Sequence, residues 1–278
     1  MNDLRPSPIA GRWYPGEVTR LRQSVDEYIR AARLPALDGE VVGVIAPHAG
    51  HVYSGPVAGH AFAAVQGMTP EVVAVISPMH YPYPYPLLTS GHQAYVTPLG
   101  EVEIDRSLVE ALDERLKEAL GFGLTPVWHD EEHSLEIELP FLQRALDSAF
   151  RLLPVMMREQ SAAVARALGE ALADVLAERN ALLVASSDLS HYYTDAQARA
   201  LDAEMLRRVA AFDPDGVIRA EEEGKAFACG RGAVAAVLWA ARALGANRVQ
   251  VLNYATSGDT SGDYSRVVGY GAAAVLRS

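Results

Sequence analysis

Four short apolar runs, each broken off into a loop of His, Asp or hydroxyl residues, constrain this chain more than any other feature. Residues 41–46 end at Pro47-His48-Ala49-Gly50. Residues 72–77 lead into Pro78-Met79-His80. Residues 181–185 lead into Ser186-Ser187-Asp188-Leu189-Ser190-His191, and 248–255 into Thr256-Ser257-Gly258-Asp259-Thr260. Continuous β-branched runs of this length suit strands buried on both faces. Proline and glycine then stop them. Gly55 and Pro56 introduce a small-residue segment, 57–65, predicted to be a helix packed on the first strand. In open α/β sheets ligands bind outside the carboxyl ends of the strands. If the four strands are neighbours, their ends meet in one pocket.

The remaining pattern alternates helix and strand to the end of the chain. Residues 1–14, rich in proline, read as an extended arm in which Trp13 and Tyr14 are packing anchors. Residues 17–32 carry apolar positions three and four apart, an amphipathic helix. Tyr81-Pro82-Tyr83-Pro84-Tyr85-Pro86 cannot be helical. It is either an aromatic lip over the pocket or a surface loop. Residues 89–104 suggest a hairpin, and Asp105 caps the next helix. Helices are expected over 137–150, 162–178, 196–211, 214–223 and 233–244, with strands over 151–157, 249–255 and 264–276. These features give an α/β fold, a central mainly parallel sheet flanked by helices, in one domain over 1–278 with residues 1–40 as an arm and helix packed on it.

Half of the 278 residues are apolar, which is enough for a large core. A net charge of −11 argues against nucleic-acid binding, which needs a basic footprint. No apolar run approaches the roughly 20 residues that cross a bilayer, so no membrane is expected. The single cysteine, Cys229, forbids an internal disulfide and points to a reducing, cytoplasmic setting.

The chemistry rests on His48, His80 and one acid. Two imidazoles and a carboxylate with open positions form the ligand set of non-haem iron(II) sites. Asp259, at the fourth strand end, is the acid chosen as third ligand. His191, oriented by Asp188 or by a backbone carbonyl, is the candidate acid/base beside the metal. His129-Asp130-Glu131-Glu132-His133 matches a zinc-protease pattern formally. Asp130 or Ser134 looks like a helix N-cap, however, which leaves His129 outside the helix and breaks the one-turn spacing that chemistry needs. His51, His133, Glu136 and Ser187 are expected to border the pocket. Ser186-Ser187-Asp188 has a plainer reading as strand-end capping, Gly258-Asp259 as a turn, and Cys229 as a small buried hydrophobe.

At these residues the chain resembles the Memo family, including bacterial AmmeMemoRadiSam system protein B. The matching stretches are Ile45-Ala46-Pro47-His48-Ala49-Gly50, Ser77-Pro78-Met79-His80, 130–136, 186–191, Cys229-Gly230-Arg231-Gly232 and Leu252-Asn253-Tyr254. The resemblance implies a fold similar to the catalytic subunit of class III extradiol dioxygenases. It implies metal-ligand roles for His48 and His80 and an acid/base role for His191. Animal members have a cysteine that lines up with Thr260, so Asp259 is taken as its substitute. Tyr81 and His51 also depart from the common pattern. The expected cofactor is a mononuclear metal, iron(II) first and copper second, serving redox or oxygenase chemistry on a small aromatic or phenolic substrate. The alternatives are a non-catalytic module that binds a small molecule or peptide, and a metal-dependent hydrolase or thiol enzyme. AMMECR1-like and radical-SAM proteins are the implied partners.

Overall fold

A computed structural model describes residues 3–278. The chain runs β1 (Leu4–Arg5), α1 (Val18–Ala31), β2 (Glu40–Ala46), α2 (His51–Ala63), β3 (Val72–Pro78), β4 (Leu87–Ser90), β5 (Ala94–Thr97), β6 (Gly100–Glu103), α3 (Arg106–Leu120) and β7 (Thr125–Val127). A 3-10 turn (Glu136–Glu138) leads into α4 (Leu139–Ala145) and β8 (Arg151–Met157). The second half is α5 (Ala162–Leu176), β9 (Ala181–Ser186), β10 (His191–Tyr193), α6 (Asp195–Ala210), α7 (Pro214–Glu222), α8 (Arg231–Ala243), β11 (Arg248–Thr256), α9 (Ser257–Ser261) and β12 (Val267–Arg277).

The large sheet has the order β10-β12-β2-β9-β3-β8-β4-β7, with β11 also on β12. Its centre, β2-β9-β3-β8, is parallel. β12 joins β2 antiparallel, and β4 joins β8 antiparallel, so the sheet is mixed outside the centre. All seven residues of β3 are buried, as a central strand covered on both faces requires. Helices pack in two groups, α1 with α2 and α4, and α3 with α5 and then α8 with α7 and α5. The first group packs closely because α2 carries glycines where α1 approaches: a Cβ on Gly59 would lie 2.4 Å from the Tyr28 carbonyl oxygen. No helix among the described residues is long and apolar enough to cross a membrane.

Register places the chemistry. Ala46 of β2 pairs with Ser186 of β9, and Ile76 of β3 pairs with Ala185. β9 therefore lies between the two histidine-bearing strands, and His48 and His80 leave the sheet on either side of Ser186. β11 is different. It is separated from β2 by β12, about 10 Å at normal strand spacing.

Several boundaries differ from the pattern in the sequence. α2 begins at His51 rather than near Pro56, with Gly50 as N-cap, so Pro56 is inside the helix. The carbonyl that loses its partner belongs to Val52, which is exposed and open to water. Neither Asp130 nor Ser134 caps a helix; the chain turns without helix until the 3-10 turn, and α4 ends at Ala145. The N-terminal arm is a built part of the fold. β1 pairs with β5 in a three-stranded sheet completed by β6.

A histidine and cysteine cluster at the strand ends

His48 follows β2 and is 1 % exposed. Its backbone N–H donates to Asp188 Oδ1 (2.8 Å), which pins the β2 loop to the β9 loop. Its Nδ1 lies 2.8 Å from Ser186 Oγ, and its Nε2 lies 3.1 Å from Cys229 Sγ. His80 follows β3. Its Nδ1 donates to Glu132 Oε1 (2.9 Å), and its backbone N–H donates to Glu132 Oε2. The His48 and His80 rings are 5.4 Å apart, edge to face, and His133 stacks on His80 at 4.7 Å. One donor atom from each of His48, His80 and Cys229 falls within 4.8 Å of the others. His80, Glu132 and His133 meet the same distance condition. The His80 side chain is 34 % exposed, so the cluster is reached from solvent at that edge.

Local structure fixes Cys229 at the start of α8. Gly230 N–H donates to Ser187 Oγ (2.9 Å). A Cβ on Gly230 would lie 2.4 Å from the Ser186 carbonyl oxygen, so only glycine lets this loop press against the end of β9. Gln160 grips the loop from the other side, donating to the Cys229 carbonyl (2.9 Å) and accepting from Gly232 N–H (2.8 Å).

Charge at the cluster follows from burial. Desolvation, reinforced by His133, His80 and His191, pushes His48 well below the usual histidine value and keeps it neutral. Desolvation brings His133 down to about 4 against the pull of Glu132. For Glu132, burial acts upward, but the bond from His80 and the neighbouring imidazoles and amides outweigh it, and the carboxyl falls to about 2. Burial raises Asp188 to about 7 against the N–H groups of His48 and Ala49. Burial also raises the Cys229 thiol well above its ordinary value. A cation beside the sulfur would reverse that last effect.

The structure assembles some of the expected residues and separates others. Asp259 is a correction. Both of its oxygens accept from Arg199, and Oδ2 also accepts the Thr256 N–H in a capping box that starts α9. It is a surface ion pair, carried away from His48 by the intervening β12. Thr260 is exposed on α9. The cysteine that meets the two histidines is Cys229 instead. Asp188 does not orient His191; it holds His48. His191 Nδ1 lies 2.7 Å from the Leu189 carbonyl, an acceptor only, so Nδ1 carries the proton and Nε2 has the lone pair. Desolvation lowers His191, and a charge on His80 would lower it further.

Glu136 is fully buried but belongs to the arm. It accepts from Tyr14 Oη (2.6 Å) and Arg5 Nη1 (2.5 Å). His51 packs on Phe141 and gives Nε2 to the Ile137 carbonyl. Ser187 holds Gly230, as above. Tyr81 and Tyr85 are exposed, while Tyr83 packs partly on the core. His129 lies with His92, 5.1 Å between rings, and not with His133, which removes the zinc-protease pattern. Trp13, read as a packing anchor, lies 4.0 Å from the His133 ring. It also lines a groove of about 800 Å³ with Arg12, Tyr28 and Tyr53.

Sequence reasoning passed over Glu138 and Arg5, and it gave Glu132 and Ser186 only structural readings. Arg5 is 1 % exposed and forms a two-bond pair with Asp130 (2.8 and 3.0 Å) while donating to the Glu132 carbonyl (2.8 Å). The signal for Glu132 was present, since it stands beside His133, but it reads equally as an acid of a first helical turn.

The residues present fit a metal ion. Two imidazoles and a thiol converge, and each imidazole has its Nδ1 engaged by a neighbouring oxygen, which leaves Nε2 for a ligand role. Bonds of about 2.0–2.3 Å bridge donors at these separations with small shifts.

Comparison with known proteins finds relatives over nearly the whole chain. A MEMO1 family protein of Methanopyrus kandleri is 40 % identical over 278 residues, covering 96 % of this chain and 97 % of that one. Others from Methanothermobacter thermautotrophicus and Nitrosopumilus maritimus are 38 % and 35 % identical, covering 96–97 % of this chain and 98 % of each relative. A solved structure, an uncharacterized protein of Escherichia coli K12, aligns at 13 % identity and a TM-score of 0.39 over 73 % of this chain and 86 % of that chain, too weak a likeness to argue from. Residues 5–274 match the Memo-like protein family, and with relatives this similar over nearly its whole length the chain belongs to that family.

Proposed function

We propose that this protein is a mononuclear metal protein whose ion is held by His48, His80 and Cys229 and serves redox or oxygenase chemistry on a small phenolic substrate. The observation that carries this reading is the convergence of three donor atoms, from the ends of β2 and β3 and the start of α8, within 4.8 Å. Two imidazoles and a soft thiolate suit iron(II) or copper, with the thiolate favouring copper more than a carboxylate would. When bound, such an ion supplies a Lewis acid and a one-electron couple.

The surrounding residues have distinct tasks. Glu132 fixes the His80 ring and raises its basicity by accepting from Nδ1. Asp188 and Ser187 hold the His48 and Cys229 loops against the end of β9. His191 offers a neutral Nε2 to take a proton from a substrate hydroxyl and return it later. A reducing compartment suits the free thiol. AMMECR1-like and radical-SAM proteins are proposed as partners through family resemblance, to be tested by co-purification.

Iron and copper content after oxygen-free purification tests the proposal. Wild-type protein retains metal near one equivalent per chain, and His48→Ala/His80→Ala and Cys229→Ser lose most of it. Equal contents in the three proteins sink the reading. Oxygen uptake with a catechol panel separates an enzyme from a non-catalytic binding module. Turnover that disappears in His191→Ala supports the enzyme.

A further inference from the structure

Ser186 Oγ makes three short contacts: the Ser134 carbonyl oxygen at 2.6 Å, Glu138 Oε1 at 2.7 Å and His48 Nδ1 at 2.8 Å. A serine hydroxyl has one proton to give and two lone pairs to receive. A carbonyl only accepts, so the proton goes to Ser134. Both remaining neighbours must then donate into the lone pairs. For His48 this places the proton on Nδ1. For Glu138 it requires a protonated carboxyl. An ionised Glu138 would leave two acceptor oxygens competing for one hydrogen, with one of them facing an oxygen lone pair at close range.

The setting of Glu138 agrees. Its side chain is fully buried, and its Oε2 has no partner. No Lys or Arg pairs with it, and the other carboxylate near it is Asp188. Burial, with the nearby Asp188 adding to it, pushes it well above the usual range.

We propose that Glu138 is a neutral carboxylic acid that donates to Ser186 and thereby holds His48 with its proton on Nδ1 and its Nε2 lone pair turned toward Cys229. It is a positioning residue, acting on the site through Ser186. The two histidine rings are then held in different ways: His80 leans on the anion of Glu132, whereas His48 leans on the neutral pair of Ser186 and Glu138. Protonation follows from the valences of one hydroxyl; only its consequence for metal binding rests on the function proposed above.

Infrared difference spectra of metal-free wild-type and Glu138→Gln protein at neutral pH test the protonation. A carboxylic-acid C=O band present in the wild type and missing in the variant is expected. ¹⁵N-histidine spectra should show His48 protonated on Nδ1 in both proteins, because the glutamine amide still donates. In Glu138→Ala and Ser186→Ala the two tautomers should mix. In chelator competition, Glu138→Gln should rescue the affinity that Glu138→Ala loses by about tenfold or more. Absence of the band, or His48 protonated on Nε2 in the wild type, overturns the proposal. If the alanine variant does not fold, the wild-type and glutamine pair still decides. A wild type that shows the band and tautomer but takes up no iron or copper leaves the Glu138 assignment standing and removes the metal function.

Discussion

Glu132 and Asp259 are both acids near loops that carry chemistry, and their surroundings give them opposite importance. Glu132 is buried, holds His80 through ring and backbone, and gathers the N–H groups of His133 and Ser134. Glu132→Gln keeps its size but removes the charge that accepts from His80. Metal affinity measured by chelator competition should fall about 10–100-fold. Asp259 is more than a third exposed and bound to Arg199. Asp259→Ala should leave metal content unchanged and cost no more than about 1 kcal/mol in denaturant unfolding, the range of surface pairs. Loss of metal in Asp259→Ala would return it to the site. Cys229 was legible as a residue but not as a neighbour of His48 and His80. Its partners lie 181 and 149 residues away in sequence, and nothing local to Ala228-Cys229-Gly230 announces them. Asp259 was mistaken for a ligand because a turn acid after an apolar run looks the same whether it faces a pocket or an arginine.

Elements set the stability of the site through two buried devices. The arm is held by Arg5, whose guanidinium satisfies Asp130 and Glu136 and lies over the Tyr95 ring at 4.7 Å. Arg5→Ala would leave two carboxyls buried without their cation. A loss of about 3–5 kcal/mol in urea unfolding is expected, and the Glu132 loop should loosen with it. A loss below about 1 kcal/mol would mean that the arm is not fastened there. α2 carries the second device. Its first residue, His51, is buried against Phe141 and Tyr14, and desolvation lowers it to about 4 despite the Ile137 carbonyl. The unfolded chain protonates this histidine near 6.5 while the folded chain resists until about 4. Folded His51 therefore binds fewer protons in that window, and stability is lost as pH falls from 6.5 toward 4. Relative to His51→Phe, wild-type protein should lose about 3 kcal/mol across this interval in denaturant titrations. Parallel pH profiles for the two proteins would show that the ring is accessible to water. The helices themselves were readable from apolar spacing. The short α4 was not, because the acids that suggested a helix start are drawn off by Arg5 and His80.

At the scale of the whole molecule, strand order decides which loops can cooperate. The four apolar runs were visible in the sequence, and the ends of β2, β9 and β3 are adjacent in the sheet. Sequence carries no direct record of order across a sheet. The insertion of β12 between β11 and β2, antiparallel to both, is what removes the fourth loop from the pocket. The start of α8 brings Cys229 to the two histidines from another direction, since its first turn packs against the end of β9.

The wiring of Arg5 also bears on how the molecule is made. Its partners Asp130 and Glu136 lie 125 and 131 residues further on, and Cys229 later still. In a nascent chain β1 can pair with β5 once residues 94–97 are made, but the Arg5 guanidinium must wait until about half the chain is made for its carboxylates. The sulfur arrives after both imidazoles have been placed. During synthesis the strands that carry His48 and His80 are therefore complete well before the thiol that meets them exists.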